Sequence, residues 1–549
     1  MSASKRRSGK LPWTQIAKEA QVHRDSTIAA ISPTPPKTPI DLPKNVIDAP
    51  EKLLESSVLS VTSMLPEELL KSLTSGRLSA TTVTSAFLQR AAISQGLSNC
   101  ITELLPDLAL ERAKELDEYF AKHNRPLGPL HGLPISVKEH VGLQGLRCTT
   151  GYVSHWDTIP KEDAHILQVL RDAGAVFHAR TTIPQTMMHL ETDSNLYGVT
   201  TNPYNRDLTA GGSSGGEGAL IALRGSCLGI GSDVGGSIRS PAANCGIYGL
   251  KPTAFRVPTD GWGYMMAGAD TVESVLGPLS TSLDGLKIFM KTIVDSEPWL
   301  TEPALIPMPW REYTLPKERP LRIGVLWDDG IVQPHPPITR ALKLVTSRLQ
   351  ENGIEVVDFK PHLHDEAWAI ISSLYYPDGG DADVDDIESS GEPWLPLSRW
   401  IIKDNPCVKK LSVGELAYWL EEREAYRKEY ALHWNKYGID ALLCPVGPGV
   451  APKHDTARYW NYTSQWNLLD YPGAVFPVCK VDKEQDKWTG GQRTLSGLDE
   501  ENSRLWDPEE FHGVPVGLQL VGRRFEDEKV LGILEHIVRV AGMPFAAFP

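Results

Sequence analysis

Cysteine is scarce in this 549-residue chain. The seven present (Cys100, Cys148, Cys227, Cys245, Cys407, Cys444 and Cys479) are scattered, odd in number and never spaced C-x-x-C. That pattern argues against a disulfide framework or a zinc ribbon and fits a reducing cytosol. Long apolar runs are missing as well: no stretch of 18 hydrophobic residues is available to span a bilayer. The N-terminus follows Lys5, Arg6 and Arg7 with polar residues where a secretion signal needs an apolar core, so the cluster reads as a solvated tail. Positive charge is in deficit, with 55 Lys and Arg against 69 Asp and Glu, for a formal charge of -14. Such a surface does not grip phosphate backbones. The expectation is a soluble, cytoplasmic protein with neither nucleic acid nor membrane as partner.

Cofactor motifs are also lacking. No G-K-[ST] closes the glycine-rich segments as a P-loop would, and 229–234 (GIGSDV) lacks the third glycine of a dinucleotide fingerprint. Residues 381–392 place Asp381, Asp383, Asp385 and Glu392 at the offsets of a calcium loop, but Asp386 stands where that loop requires glycine. This stretch reads as a solvated acidic loop. His362 and His364 read as surface histidines without a role, and Cys227 and Cys245 as small apolar packing groups. No metal and no organic cofactor is expected.

What is there shows α/β alternation. Residues 31–44 (ISPTPPKTPIDLPK) are proline-rich and predict an extended arm, so 1–50 is taken as an N-terminal arm and 51–549 as the catalytic domain. One helix is predicted from Pro66 to about Gly76, and a second, capped by Ser79, through Phe87, Leu88 and Ala91. A helix over 163–171, a stop at Gly174 and a strand over 175–179 follow. Strand 321–327, helix 339–350 and strand 354–359 predict a parallel unit, and 441–446, 474–481 and 514–521 supply later strands. The fold class is α/β, with one large mixed β-sheet covered by helices on both faces.

Two glycine-dense serine segments, 211–218 (GGSSGGEG) and 231–240 (GSDVGGSIRS), lie close together, with Lys138 upstream at the end of 133–137 (LPISV). Glycines beside a serine leave its hydroxyl open and let backbone N–H groups converge on one point. Ser237 is therefore the candidate nucleophile, with the N–H groups of Val234, Gly235 and Gly236 as oxyanion donors; the alternative is a glycine-rich anion-binding or packing turn. Ser213 is a rival, since 211–215 matches G-x-S-x-G. That elbow needs an apolar strand before it, whereas 204–210 (YNRDLTA) reads as polar and irregular. Lys138 ends a buried strand, where desolvation lowers the lysine pKa from about 10.4 toward neutrality and makes it a base. The alternative is an ordinary strand-end lysine with its ammonium in water.

The blocks GGSSGGEGALIALRG, GSDVGGSIRSPA and GIYGLKPT within 211–253 resemble the signature of the amidase signature family. GPLHGLPISVK (128–138) and HGVPVGLQLVGRR (512–524) fit the same family. The stretches ELDEYFAKHNRPLGPLHGLPIS, IPMPWR and SGEPWLP are similar to fungal acetamidase-type general amidases. The resemblance implies a Ser-cisSer-Lys triad in which Ser237 attacks, Ser213 relays its proton from a cis peptide after Gly212, and Lys138 is the final base. It further implies that Ser214 and Asp233 hydrogen-bond around the triad, that Arg239 anchors the nucleophile loop, and that Met187 touches the acyl pocket. The alternative for Met187 is plain core. The implied reaction is hydrolysis of a small-molecule amide to an acid and ammonia or an amine. The alternatives are a glutamine-using amidotransferase A subunit and an inactive amidase-like scaffold. Related amidases imply a homodimer, and residues 255–269 and 445–471 are expected to wall the pocket.

Overall fold

The structure, a computed structural model, describes residues 11–263, 268–488 and 494–542. The basic cluster at 5–7 and residues 264–267 of the expected pocket wall lie outside the described residues.

Eleven strands form one sheet: β1 (Ile101–Leu104), β2 (Pro134–Lys138), β3 (Val176–Thr181), β4 (Leu228–Asp233), β5 (Tyr248–Lys251), β6 (Val275–Ser280), β7 (Arg322–Val325), β8 (Glu355–Asp358), β9 (Ala441–Pro445), β10 (Gly473–Lys480) and β11 (Pro515–Val521). Their order is β1-β3-β2-β4-β6-β5-β10-β11-β9-β7-β8. The sheet is mixed: β2 runs parallel to β3 and β4, and β7 is parallel to β8 and β9, while β4–β6 and β10–β11 are antiparallel. Both faces are packed. Along β9, Ala441 and Leu443 enter one apolar cluster, built with helices Pro336–Glu351 and Asp527–Ala541, while Leu442 and Cys444 enter another, built with His364–Tyr375 and Val413–Tyr437. Alternate residues of a strand point to opposite faces, so a strand buried on both sides becomes the continuous apolar run seen at 441–446.

The expected elements fall close to their predicted places. Helix Pro66–Thr74 starts on its proline, and Ala80–Ser98 is capped by the Ser79 hydroxyl, which accepts from the Thr82 N–H at 3.1 Å. The turn between them carries Gly76 at φ +71°, a conformation that favours glycine.

Three local readings are corrected. The acidic stretch is not a solvated loop: Asp381–Ser390 is a helix between two left-handed glycines, Gly380 and Gly391, and Asp383, Asp386 and Glu392 are buried. Asp383 and Asp386, three apart, share one helix face and meet donors far away in sequence, the Tyr152 hydroxyl and the His155 ring. Glu392 accepts from the Val153 N–H (2.8 Å), Gln185 (2.9 Å) and Asn195 (2.7 Å). His364 is buried against Tyr430 and Trp466, because the helix it opens packs over the sheet. Residues 205–209 are not irregular: Asn205–Thr209 forms a short strand paired with Thr201–Asn202, outside the main sheet.

Residues 31–44 carry no helix or strand. Before them, Trp13–Ala29 is a helix that the sequence reading did not assign. Its narrow apolar stripe seats Ala20 among Val153, Trp156 and Leu196, with Trp13 and Ile16 packed alongside. Six of the seven cysteines are buried, Cys227 and Cys245 among them, and none is paired.

Candidate active site

The neighbouring parallel strands β2 and β4 deliver the chemistry. Their register, Ser136 beside Gly229 and Val137 beside Ile230, brings Lys138 level with the last residues of β4, so the lysine and the loop 234–237 leave the sheet at the same end. The carboxyl ends of parallel strands are where open α/β sheets hold ligands.

Lys138 is fully buried, not a solvated strand-end lysine. Its Nζ donates to Ser213 Oγ at 2.7 Å and to Ser232 Oγ at 2.9 Å. Burial pushes its pKa down to about 7, against the opposing pull of the Asp233 and Glu217 carboxylates. Glu217 is itself pushed up to about 8 by burial, and accepts from Ser136 (2.5 Å) and Thr181 (2.8 Å).

Ser213 precedes helix Gly215–Ala222, and the Gly212–Ser213 peptide is cis. Gly212 has a steric requirement of its own: a Cβ there would lie 2.2 Å from the Glu191 carbonyl oxygen. Ser237 stands on the turn into helix Arg239–Cys245. Ser213, Ser232, Val234, Ser237 and Met187 all line one cavity of about 50 Å³. Met187 has positive φ, +57°, and is buried at that wall. Ser214 joins the two serine segments, with its N–H donating to the Ser237 carbonyl (3.2 Å) and its Oγ accepting from the Ser232 N–H (3.3 Å).

The nucleophile loop is clamped from below. Arg239 donates through Nε to Asp233 Oδ2 (3.0 Å) and through Nη2 to Oδ1 (2.9 Å), and it reaches the Thr463 carbonyl (2.9 Å) and Asn467 Oδ1 (2.6 Å). Burial alone favours a neutral Asp233, but the Arg239 charge and hydrogen bonds outweigh it and hold the carboxyl at about 2. Asp233 also accepts from the N–H groups of Gly236 (2.9 Å) and Ile238 (3.1 Å). The Gly236 amide, one of three expected oxyanion donors, is therefore committed to Asp233 here. The Val234 and Gly235 carbonyls accept from Tyr375 Oη (3.0 Å) and Thr463 Oγ1 (2.6 Å).

The expected walls are only partly found. Of the described residues in 255–269, Ala269 lines the cavity, and Thr271, Val272 and Ser274 continue it. Residues 445–471 do not line it. Val446 to Val450, Pro452, Lys453 and Asp455 to Tyr459 edge a second cavity of about 400 Å³ behind helix Arg239–Cys245, while Trp460 and Thr463 back the nucleophile loop. The sequence reading missed His140, Tyr375, Tyr376 and Asp383 on the cavity wall. Burial, with Asp378 and Asp386 nearby, raises Asp383 to about 7. His140 alone had a local signal, two residues beyond the lysine. Among the described residues no group of three or more His, Cys, Asp or Glu is arranged to hold a metal ion, and no helix is long and apolar enough to cross a membrane.

The family model described as Amidase matches residues 82–531. An amidase-type protein of Schizosaccharomyces pombe is 43% identical over 533 residues, covering 96% of this chain and 99% of the relative. The acetamidase of Emericella nidulans is 40% identical, covering 91% and 93%. A solved fatty acid amide hydrolase superposes with a TM-score of 0.93 at 35% identity, covering 97% of this chain and 96% of its own.

Proposed function

Because this chain belongs to the amidase signature family of amide hydrolases, we propose that it cleaves a small carboxylic acid amide through an acyl-enzyme on Ser237, with Ser213 as proton relay and Lys138 as base. The observation that carries the reading is the 2.7 Å contact between a fully buried Lys138 Nζ and Ser213 Oγ, on a cavity that Ser237 also lines.

A pKa of about 7 leaves a large neutral fraction of Lys138 at physiological pH. Ser237 Oγ attacks the amide carbonyl carbon. Its proton passes to Ser213, whose own proton passes to the lone pair of Lys138. The oxyanion is held by backbone N–H groups at Val234 and Gly235, since that of Gly236 is engaged by Asp233. The tetrahedral species collapses as the leaving nitrogen takes the proton back through Ser213, and ammonia or an amine departs. Water then attacks the acyl ester by the same relay, releasing the acid and restoring Ser237. Every proton is returned, so the cycle needs no cofactor. Asp233 and Arg239 keep the loop in place, Ser214 ties it to the relay serine, and Met187 borders the acyl group.

The acetamidase relatives support a short acyl group. Buried, unpaired thiols support a cytosolic setting. Ammonia release from acetamide, benzamide and indole acetamide, compared with Ser237→Ala, Ser213→Ala and Lys138→Ala, tests the reading. Turnover of at least one amide, abolished by Ser237→Ala and strongly reduced by the other two, is expected. Turnover that survives Ser237→Ala contradicts it.

A further inference from the structure

The loop that presents Ser237 is gripped by two side chains from distant parts of the chain. Tyr375, the last residue of helix His364–Tyr375, donates from Oη to the Val234 carbonyl at 3.0 Å. Thr463, in helix Asn461–Leu468, donates from Oγ1 to the Gly235 carbonyl at 2.6 Å. A trans peptide is planar, with its C=O and N–H pointing in opposite directions. Fixing the Val234 carbonyl therefore fixes the Gly235 N–H, and fixing the Gly235 carbonyl fixes the Gly236 N–H. The second N–H is already given to Asp233, whereas the first belongs to the peptide whose carbonyl Tyr375 draws away.

We propose that Tyr375 is a positioning residue for catalysis, its hydroxyl setting the plane of the Val234–Gly235 peptide so that the Gly235 N–H is aimed at the oxyanion. The inference rests on the Ser237 chemistry proposed above. Several observations converge on it. Tyr375 lines the same cavity as Ser237 and Val234. Its ring packs edge-on to Trp460 (6.3 Å between centroids, 64° between planes), and Trp368 and Trp400 hold Trp460 in turn, so the hydroxyl is carried on a rigid aromatic mount. The fit is close enough that a Cβ on Gly235 would lie 2.8 Å from Tyr375 Oη. Glycine at 235 thus serves the tyrosine contact as well as access to the serine. A donor held in place before the reaction costs no reorganisation as charge develops, which is where oxyanion stabilisation gains its size.

The test is Tyr375→Phe, which keeps the ring on Trp460 and removes only the hydroxyl. On an amide that the wild type hydrolyses, kcat is expected to fall roughly 10- to 100-fold with KM nearly unchanged. The inhibition constant of a short-chain aldehyde, whose adduct carries the oxyanion, is expected to rise by the same factor, while that of the product carboxylate stays put. Labelling of Ser237 by a fluorophosphonate is expected to slow in parallel, because its phosphoryl oxygen occupies the same site. Gly235→Ala, which displaces the hydroxyl, is expected to match Tyr375→Phe, and the double variant to be no worse than the poorer single one. Unchanged kcat, or equal losses for aldehyde and carboxylate, overturns the proposal while leaving Ser237 in place. A wild type that neither hydrolyses an amide nor labels at Ser237 overturns the underlying reading and this one with it.

Discussion

Lys138 Nζ and Ser213 Oγ are 2.7 Å apart at a point where neither side chain meets bulk water. A lysine in water is a cation and cannot accept a proton at pH 7. Here the surroundings, not the residue type, make the base, since desolvation outweighs two nearby carboxylates.

Activity follows the charge of that lysine. The neutral form is the base, and it is lost as pH falls through about 7. kcat/KM is expected to drop about tenfold per unit well below that pH, and Lys138→Ala to lose about 10²- to 10⁴-fold at neutral pH. A pH-rate profile that stays flat to pH 5 contradicts a lysine base.

Glu217→Gln separates charge from geometry. The amide can accept from one of the Ser136 and Thr181 hydroxyls, 2.5 and 2.8 Å from the native carboxylate, and donate to the other, and it removes the titrating group. An ionised Glu217 raises the Lys138 pKa, so the acid limb is expected to stay in place or move to lower pH in the variant. An upward shift in the pH-rate profile contradicts this electrostatic assignment.

The Arg239–Asp233 pair holds the loop and should be costly to break from one side. Arg239→Met leaves Asp233 buried beside an apolar side chain, and a loss of about 3–5 kcal/mol is expected in denaturant unfolding. The wild-type pair also carries a pH signature. Asp233 at about 2 lies below its ordinary 3.8, so its contribution is fully present above 3.8 and is lost as pH falls through 2. That contribution amounts to about 2 kcal/mol, and the melting temperature of Asp233→Asn is expected to vary less than wild type between pH 4 and 2.

Gly212→Ala probes packing. The added methyl would overlap the backbone of Glu191, with 2.2 Å to its carbonyl oxygen, and backbone cannot rotate aside as a side chain can. A loss of about 1–3 kcal/mol is expected, with activity falling as Ser213 shifts from Lys138. A variant with unchanged melting temperature and turnover contradicts the tight fit at this turn.

The features readable in sequence were local ones. Lys138 ends an apolar run, and the glycines immediately beside Ser213 and beside Ser237 announce open hydroxyls. Strands such as those at 441–446 and 514–521 were legible because burial on both faces makes them apolar runs, whereas Ile101–Leu104, Leu228–Asp233, Tyr248–Lys251 and Val275–Ser280 were not assigned. What escaped depends on partners far along the chain. Tyr375 meets Val234 across 141 residues, and Asn467 meets Asp233 across 234. No local pattern marks either contact. The acidic stretch misled for the same reason: its charges suggest solvent until Tyr152 and His155, more than 200 residues earlier, are seen to receive two of them. Helix Trp13–Ala29 was hidden by the weakness of its apolar stripe, which buries only Ala17 and Ala20 fully.

The central claim is that Ser237 carries the acyl group. Its most direct test is peptide mass mapping of the protein quenched during turnover of a slow amide, or of the corresponding ester, in wild type and in Ser237→Ala. The account predicts an acyl adduct on the peptide containing Ser237 and none in the variant. An adduct on Ser213, or an acyl-enzyme that persists in Ser237→Ala, contradicts it.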